Sequence, residues 1–160
     1  MDSLFYIIRE NRKTFIRLID SLSIDELNEI PTGFNNNLAW NFAHIVVTQQ
    51  ILCYAKAGLP YLLEEQAIEK YQRGSKPEQL ITLEELNFYK QQATELIDAM
   101  EADWNAGKFA GYKPFTTSMG VTIRDAEDAL IYTSTHDQLH FGYCLSLKRT
   151  IRQKKSLYSQ

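Results

Sequence analysis

One connection in this 160-residue chain is far longer than the rest, and it constrains the kind of bundle the chain can build. Four stretches carry apolar residues at the i, i+3/i+4, i+7 spacing of an amphipathic helix. The first lies near residues 2–20, with Leu4, Ile8, Phe15, Leu18 and Leu22 on one stripe. The second, near 38–57, carries Trp40, His44, Val47, Ile51 and Tyr54, and most of its other faces are apolar too, which marks it as the central helix. The third, near 82–106, aligns Leu86, Tyr89, Ala93, Leu96, Met100 and Trp104, and the fourth runs near 123–153. Modest links between helices one and two, and between three and four, suit antiparallel neighbours. Leu59 to Ile81 is long enough to travel the length of the bundle, so helices two and three are expected to run parallel. The expectation is a single all-α domain spanning 1–160, an up-down-down-up four-helix bundle with one long crossover between helices two and three.

Local punctuation agrees with this division. Ser23-Ile24-Asp25-Glu26 is a capping-box signal for a short helix ending before Pro31. Pro31 to Asn37 is turn chemistry, and Asn37 can cap the second long helix, which stops at Gly58-Leu59-Pro60. Glu64 to Tyr71 suits a short helix inside the crossover. Thr82-Leu83-Glu84-Glu85 opens the third helix, and Thr122-Ile123-Arg124-Asp125 is expected to open the fourth. Strand-like alternation is confined to Phe115 to Val121.

A formal charge of −3 gives no general attraction to phosphate backbones or anionic lipid. Lys148, Arg149, Arg152, Lys154 and Lys155 do cluster, but cations in the last turns of a helix complement its dipole, and a solvated helix end accounts for them. Met1-Asp2-Ser3-Leu4 has no signal-peptide character, and the apolar run from Phe42 to Ala57 is interrupted and too short to span a bilayer. Cys53 and Cys144 fall inside apolar helical patterns and read as buried thiols of a reducing cytoplasm, a disulfide being the alternative. Neither a nucleic acid nor a membrane is expected as a partner.

The three histidines carry the functional signal. His136 and His140 are four residues apart in Thr135-His136-Asp137-Gln138-Leu139-His140, a separation of about 40° and roughly 6 Å on a helix, so both rings can face one atom. Ala129, Thr133, His136, His140, Tyr143 and Leu147 form one ladder, expected to face inward, and His44 sits on an interior stripe of another helix. Three hydrogen-bonded core histidines are the bland alternative. Burying three imidazoles in a small core is costly without partners, and one shared divalent cation would satisfy all three with a coordination position left open. There is no HExxH motif, and Asp137, about 100° off the ligand face, is expected to cap or solvate the helix. Cys144, one turn past His140, reads as a small buried hydrophobe, with a fourth ligand in a closed structural site as the alternative. Tyr132 and Tyr143 flank the ligands, either as core aromatics or to orient a substrate.

With Leu38-Ala39-Trp40-Asn41-Phe42-Ala43-His44-Ile45 followed far downstream by His136-Asp137-Gln138-Leu139-His140-Phe141-Gly142, the chain resembles the DinB/YfiT-like metal-binding superfamily over nearly its whole length. The resemblance implies a crossover four-helix bundle, often a homodimer, with zinc or nickel held by His44, His136 and His140. Family activities include thiol S-transfer with bacillithiol or mycothiol and a thiol-dependent isomerisation. Tyr143 stands where many members have Gln, and Thr48, Gln49 and Gln50 stand where acids are frequent. The expected function is therefore that of a metal-dependent thiol S-transferase or related hydrolase acting on a small thiol and an electrophile. A non-catalytic metal-binding stress-response or binding module is the alternative.

Overall fold

The computed structural model describes residues 1–158, with side chains through residue 154. Helix α1 spans Asp2–Asp20, the short α2 Ile24–Asn28, α3 Leu38–Gln49, α4 Glu65–Tyr71, α5 Leu83–Asn105 and α6 Ala126–Tyr158. A two-stranded antiparallel hairpin, β1 (Phe115–Thr116) and β2 (Thr122–Ile123), precedes α6. The chain is an all-α bundle with this one small ribbon.

The helix starts follow side-chain chemistry. Ser23 and Glu26 close a reciprocal capping box on α2. Asn37 Oδ1 accepts from the Trp40 amide at 2.8 Å, and Thr82 accepts from the Glu85 amide at 3.1 Å. At α6 the expectation fails. Thr122 and Ile123 pair with Thr116 and Phe115 as strand, and the helix begins only at Ala126, with the Asp125 carboxylate accepting from the Asp128 amide at 2.9 Å. The β-branched Thr-Ile pair favours a ribbon over a first helical turn, and Asp125 is the better cap.

The second long helix also departs from uniform periodicity. After Gln49 it widens into a π-helical turn, Gln50–Tyr54, and then tightens into a 3₁₀ turn, Ala55–Ala57. The Ala55 amide reaches back to the Gln50 carbonyl, and the Leu52 carbonyl accepts instead from the Tyr112 hydroxyl at 2.8 Å. Gly58, at φ +72°, ends the segment in the left-handed conformation.

Pairings fix how the long helices lie against one another. Arg9 meets Asp98 and Glu101 while Asp20 meets Lys90, so contacts between α1 and α5 run in opposite senses. Contacts between α1 and α6 rise together, through Asn11–Ser134, Arg12–Asp137 and Ser21–Lys148. They also rise together between α3 and α5 and on into the π-turn, at Gln49–Leu96 and Tyr54–Asp103. Between α3 and α6 they run in opposite senses, from Asn41–His140 to Cys53–Thr133.

The core has two parts. One gathers Phe15, Phe42, Leu86, Cys144 and Leu147, and Phe15 meets the edges of Phe42 and Phe141 at 5.3 and 5.5 Å between centroids. Such edge-to-face pairs add about 0.5–1.5 kcal/mol beyond the area they bury. The other gathers Phe5, Ile8, Met100, Phe109 and Ile123 under the hairpin. Along α6, His136 and His140 fall between Leu130 of the second cluster and Cys144 of the first.

The C-terminal cations are partnered rather than simply solvated. Lys148 donates to the Ser21 hydroxyl, Arg152 to the Ser21 carbonyl and Lys154 to Glu29, tying α6 to the segment after α1. Arg149 is exposed, and the Lys155 side chain lies outside the described residues. Among the described residues no helix is long and apolar enough to cross a membrane. Cys53 and Cys144 are free and buried, which disposes of a disulfide between them.

Candidate metal centre

His44 on α3 and His136 and His140 on α6 meet at the interface of the two helices. One nitrogen from each ring lies within 4.8 Å of the others, and the His136 and His140 Nε2 atoms are 3.2 Å apart. Two nitrogens bound tetrahedrally at 2.0–2.1 Å would be separated by about 3.3 Å, so the spacing fits a shared ion.

The surrounding hydrogen bonds aim these lone pairs. His44 Nδ1–H donates to the Tyr71 carbonyl at 2.6 Å, and His140 Nδ1–H donates to Asn41 Oδ1 at 2.7 Å. The Asn41 amide is itself oriented, because its Nδ2 donates to the Asn37 carbonyl at 2.7 Å. With Nδ1 protonated in both rings, each Nε2 carries its lone pair, the tautomer a ligand needs. Tyr71 ends α4, so its carbonyl lacks an intrahelical partner and is free to accept. The crossover therefore supplies part of the site. Its other end is fastened too, since Asn28 exchanges hydrogen bonds with the Ile81 backbone at 3.0 and 2.8 Å.

His136 is held differently. Its Nδ1 is buried without a hydrogen-bond partner, and its ring lies 6.3 Å from Tyr132 at 27°, a loose stack. Trp40 stacks far more closely on His44, at 4.5 Å and 11°. All three imidazoles are driven toward the neutral form by burial. His44 is lowered, and His136 and His140 fall to about 2 and about 4, with mutual repulsion adding to desolvation. Neutral, converging and partly tethered, the three rings are placed to hold a metal ion.

Asp137 does not cap or solvate the helix. It is buried, and Arg12 on α1, itself fully buried, grips it through Nε at 2.5 Å and Nη2 at 3.2 Å. Burial raises the Asp137 pKa, and the guanidinium opposes that rise. Arg12 Nη2 also donates to the Ile45 carbonyl at 2.8 Å. One guanidinium thus spans three helices, touching the residue next to His44 and the residue next to His136. No side-chain motif in the sequence singles out Arg12, Asn41 or Tyr71. The available signal for Arg12 was a single cation on an apolar stripe, between Ile8 and Phe15.

Tyr143 departs from the inward ladder as well. It is 39 % exposed and meets Phe34 edge-on, because Cys144 and Leu147 take the inward positions where α6 passes the ligands. Cys144 lies in the apolar core, its pKa raised by burial, and it stands outside the group of ligand atoms around the histidines. Thr48 places its hydroxyl 3.3 Å from His44 Nε2, while Gln49 and Gln50 are buried and bond the Leu96 carbonyl and the Leu62 amide.

Residues 7–144 match the model of the DinB superfamily. The chain belongs to this superfamily. No curated protein matches the sequence. The superfamily is known for metal binding, and the clustered histidines of this member provide a place for it.

Proposed function

We propose that this DinB-superfamily protein is a metal-dependent thiol S-transferase whose zinc or nickel ion is held by Nε2 of His44, His136 and His140. The observation that carries the reading is the tautomer control: Tyr71 and Asn41 tie off the outward nitrogens and leave the inward lone pairs converging. Bound there, a divalent ion would lower the pKa of a small thiol and hold it as thiolate. The sulfur lone pair would form the bond to an electrophilic carbon as that carbon's leaving group departed with its own bonding pair, and the thiol proton would go to solvent. Thr48 supplies a hydroxyl beside the site to orient what binds. Hydrolysis is the weaker variant, because Asp137, the acid nearest in sequence, is committed to Arg12 and is poorly placed to take a proton from water.

The working context follows the same reading. Buried free thiols suit the cytoplasm, and neither nucleic acid nor membrane is proposed as a partner. Exposed Leu83 and Phe88 on α5, with Leu62 in the crossover, offer apolar surface for a homodimer. Elemental analysis of untagged protein should find about one ion per chain. Adding zinc or nickel to depleted protein should accelerate conjugation of one thiol from a panel of bacillithiol, coenzyme A and glutathione. Full occupancy with no turnover of that panel, nor of simple esters and amides, would leave the non-catalytic binding module as the better reading.

A further inference from the structure

The hairpin before α6 is more firmly built than its length suggests. The Thr117 amide donates to the Val121 carbonyl at 2.8 Å, the Gly120 amide to the Thr117 carbonyl at 3.0 Å, and the Val121 amide to the Thr117 hydroxyl at 3.2 Å. Gly120 turns the tip at φ +80°, a conformation that strains other residues. Ile123 is buried in the core beneath, and the Lys56 ammonium lies 4.6 Å over the Phe115 ring. This tip forms one wall of a cavity of about 550 Å³, and α6 forms the other.

The lining is apolar and reaches the histidine cluster. Met119 and Val121 face the cavity from the hairpin, Ile131 and Leu139 from α6, and the His136 ring belongs to the same surface. Met119 is 67 % and Leu139 56 % exposed, with Ile131 and Val121 close to half. Apolar side chains of this size are normally exposed singly, and four around one concavity beside a candidate metal ligand are what a small-molecule site looks like. The charges at its rim cancel, since Arg124 donates to Asp128 at 2.6 and 2.8 Å. A larger cavity of about 700 Å³ by the crossover touches Trp40 and Tyr71 but none of the three histidines.

We propose that the hairpin groove binds the apolar body of the electrophile, a neutral organic molecule with a hydrocarbon portion, whose reactive end then lies toward His136. This rests on the thiol-transfer reading for the occupant's role, while the groove itself is tested without turnover. Polar thiols gain nothing from such a wall, so the groove assigns the apolar character to the second substrate.

The experiment titrates n-alkanols, from butanol to octanol, into metal-free and zinc-loaded protein while methyl resonances are followed by NMR. Affinity should rise about fourfold per methylene until the groove is filled, in both forms. The shifts should be confined to Met119, Val121, Ile131 and Leu139. Ile131→Asp and Met119→Ser, both at exposed positions, should each flatten the rise. Affinity independent of chain length, shifts centred on Ala39 and Ile81 of the larger cavity, or an unchanged rise in both variants would each overturn the proposal. So would sedimentation showing a dimer that takes up no alkanol and that Ile131→Asp splits, because a second copy would then cover the groove. If alkanols bind as expected but the protein takes up no metal, the thiol-transfer reading falls and the groove stands.

Discussion

His44 and His140 have their outer nitrogens tied to Tyr71 and Asn41, whereas His136, on the groove side, keeps a buried Nδ1 without a partner and only a loose ring stack. The first pair is oriented before any ion arrives. The third ring is positioned by packing and by the helix that carries it. Under the proposed function, the two tethered rings would supply preset donors, and His136, held by packing alone, would be the one freer to adjust its position. Arg12 is the element common to both sides, since it touches α3 beside His44 and α6 beside His136.

The largest effect tests the cluster itself. His140→Ala should abolish stoichiometric zinc binding, while Cys144→Ala should retain it, as measured by elemental analysis after dialysis. Metal lost from the cysteine variant instead would mean a closed site with a thiolate ligand, and the contrast between tied and free rings would lose its meaning.

Breaking the shared clamp comes next. Arg12→Met leaves Asp137 buried without its counter-charge and should cost about 3–5 kcal/mol in urea unfolding, whereas the double variant Arg12→Met/Asp137→Leu should recover most of that loss. A double variant that regains stability but holds zinc weakly would show that the ion pair sets the spacing of the ligand helices as well as supporting the fold.

A smaller effect sharpens the comparison directly. Asn41→Ala should weaken zinc binding about 10–100-fold by freeing the His140 ring. Tyr132→Leu, on the loosely held side, should change it by less than about threefold. Equal losses in a competition titration would erase the distinction between the two sides.

The smallest effect is on the pH dependence of the metal-free protein. Folded His136 and His140 take up protons only near 2 and 4, while the unfolded rings do so near 6.5. The unfolded state therefore binds more protons as pH falls below about 6.5, and stability declines from there to about pH 2, with both rings contributing above about pH 4 and His136 alone below it. Partial exposure of both rings keeps the loss to about 1–2 kcal/mol, and zinc should enlarge it, because protonation must also expel the ion. Stability that holds steady across this window would show that the rings are more hydrated than their burial implies.

Much of this architecture could be read from the sequence because its causes are local. Helix periods, the Ser23 capping box and the Asn37 and Thr82 caps depend on near neighbours, and the i, i+4 histidines are brought together by one helix. What could not be read is decided at long range. Arg12 and Asp137 are far apart in sequence, and each looks like a surface charge until the packing places them together. Tyr71 contributes a carbonyl, which no side-chain pattern reports. Thr122 carries a good capping residue type, yet strand pairing with Thr116 competed for it and won.

The π-helical turn at Gln50–Tyr54 has a consequence for how this bundle can diverge. Such a turn is equivalent to one residue inserted into an α-helix, and its removal would rotate everything beyond it by about 100°. The rotation would carry Tyr54 away from Asp103 and disturb the Leu52 carbonyl that Tyr112 holds, while the stretch from Asn37 to His44 kept its phase. Upstream of the turn the His44 segment would keep its register, and downstream the contacts to Asp103 and Tyr112 would have to be rebuilt to absorb a change of one residue.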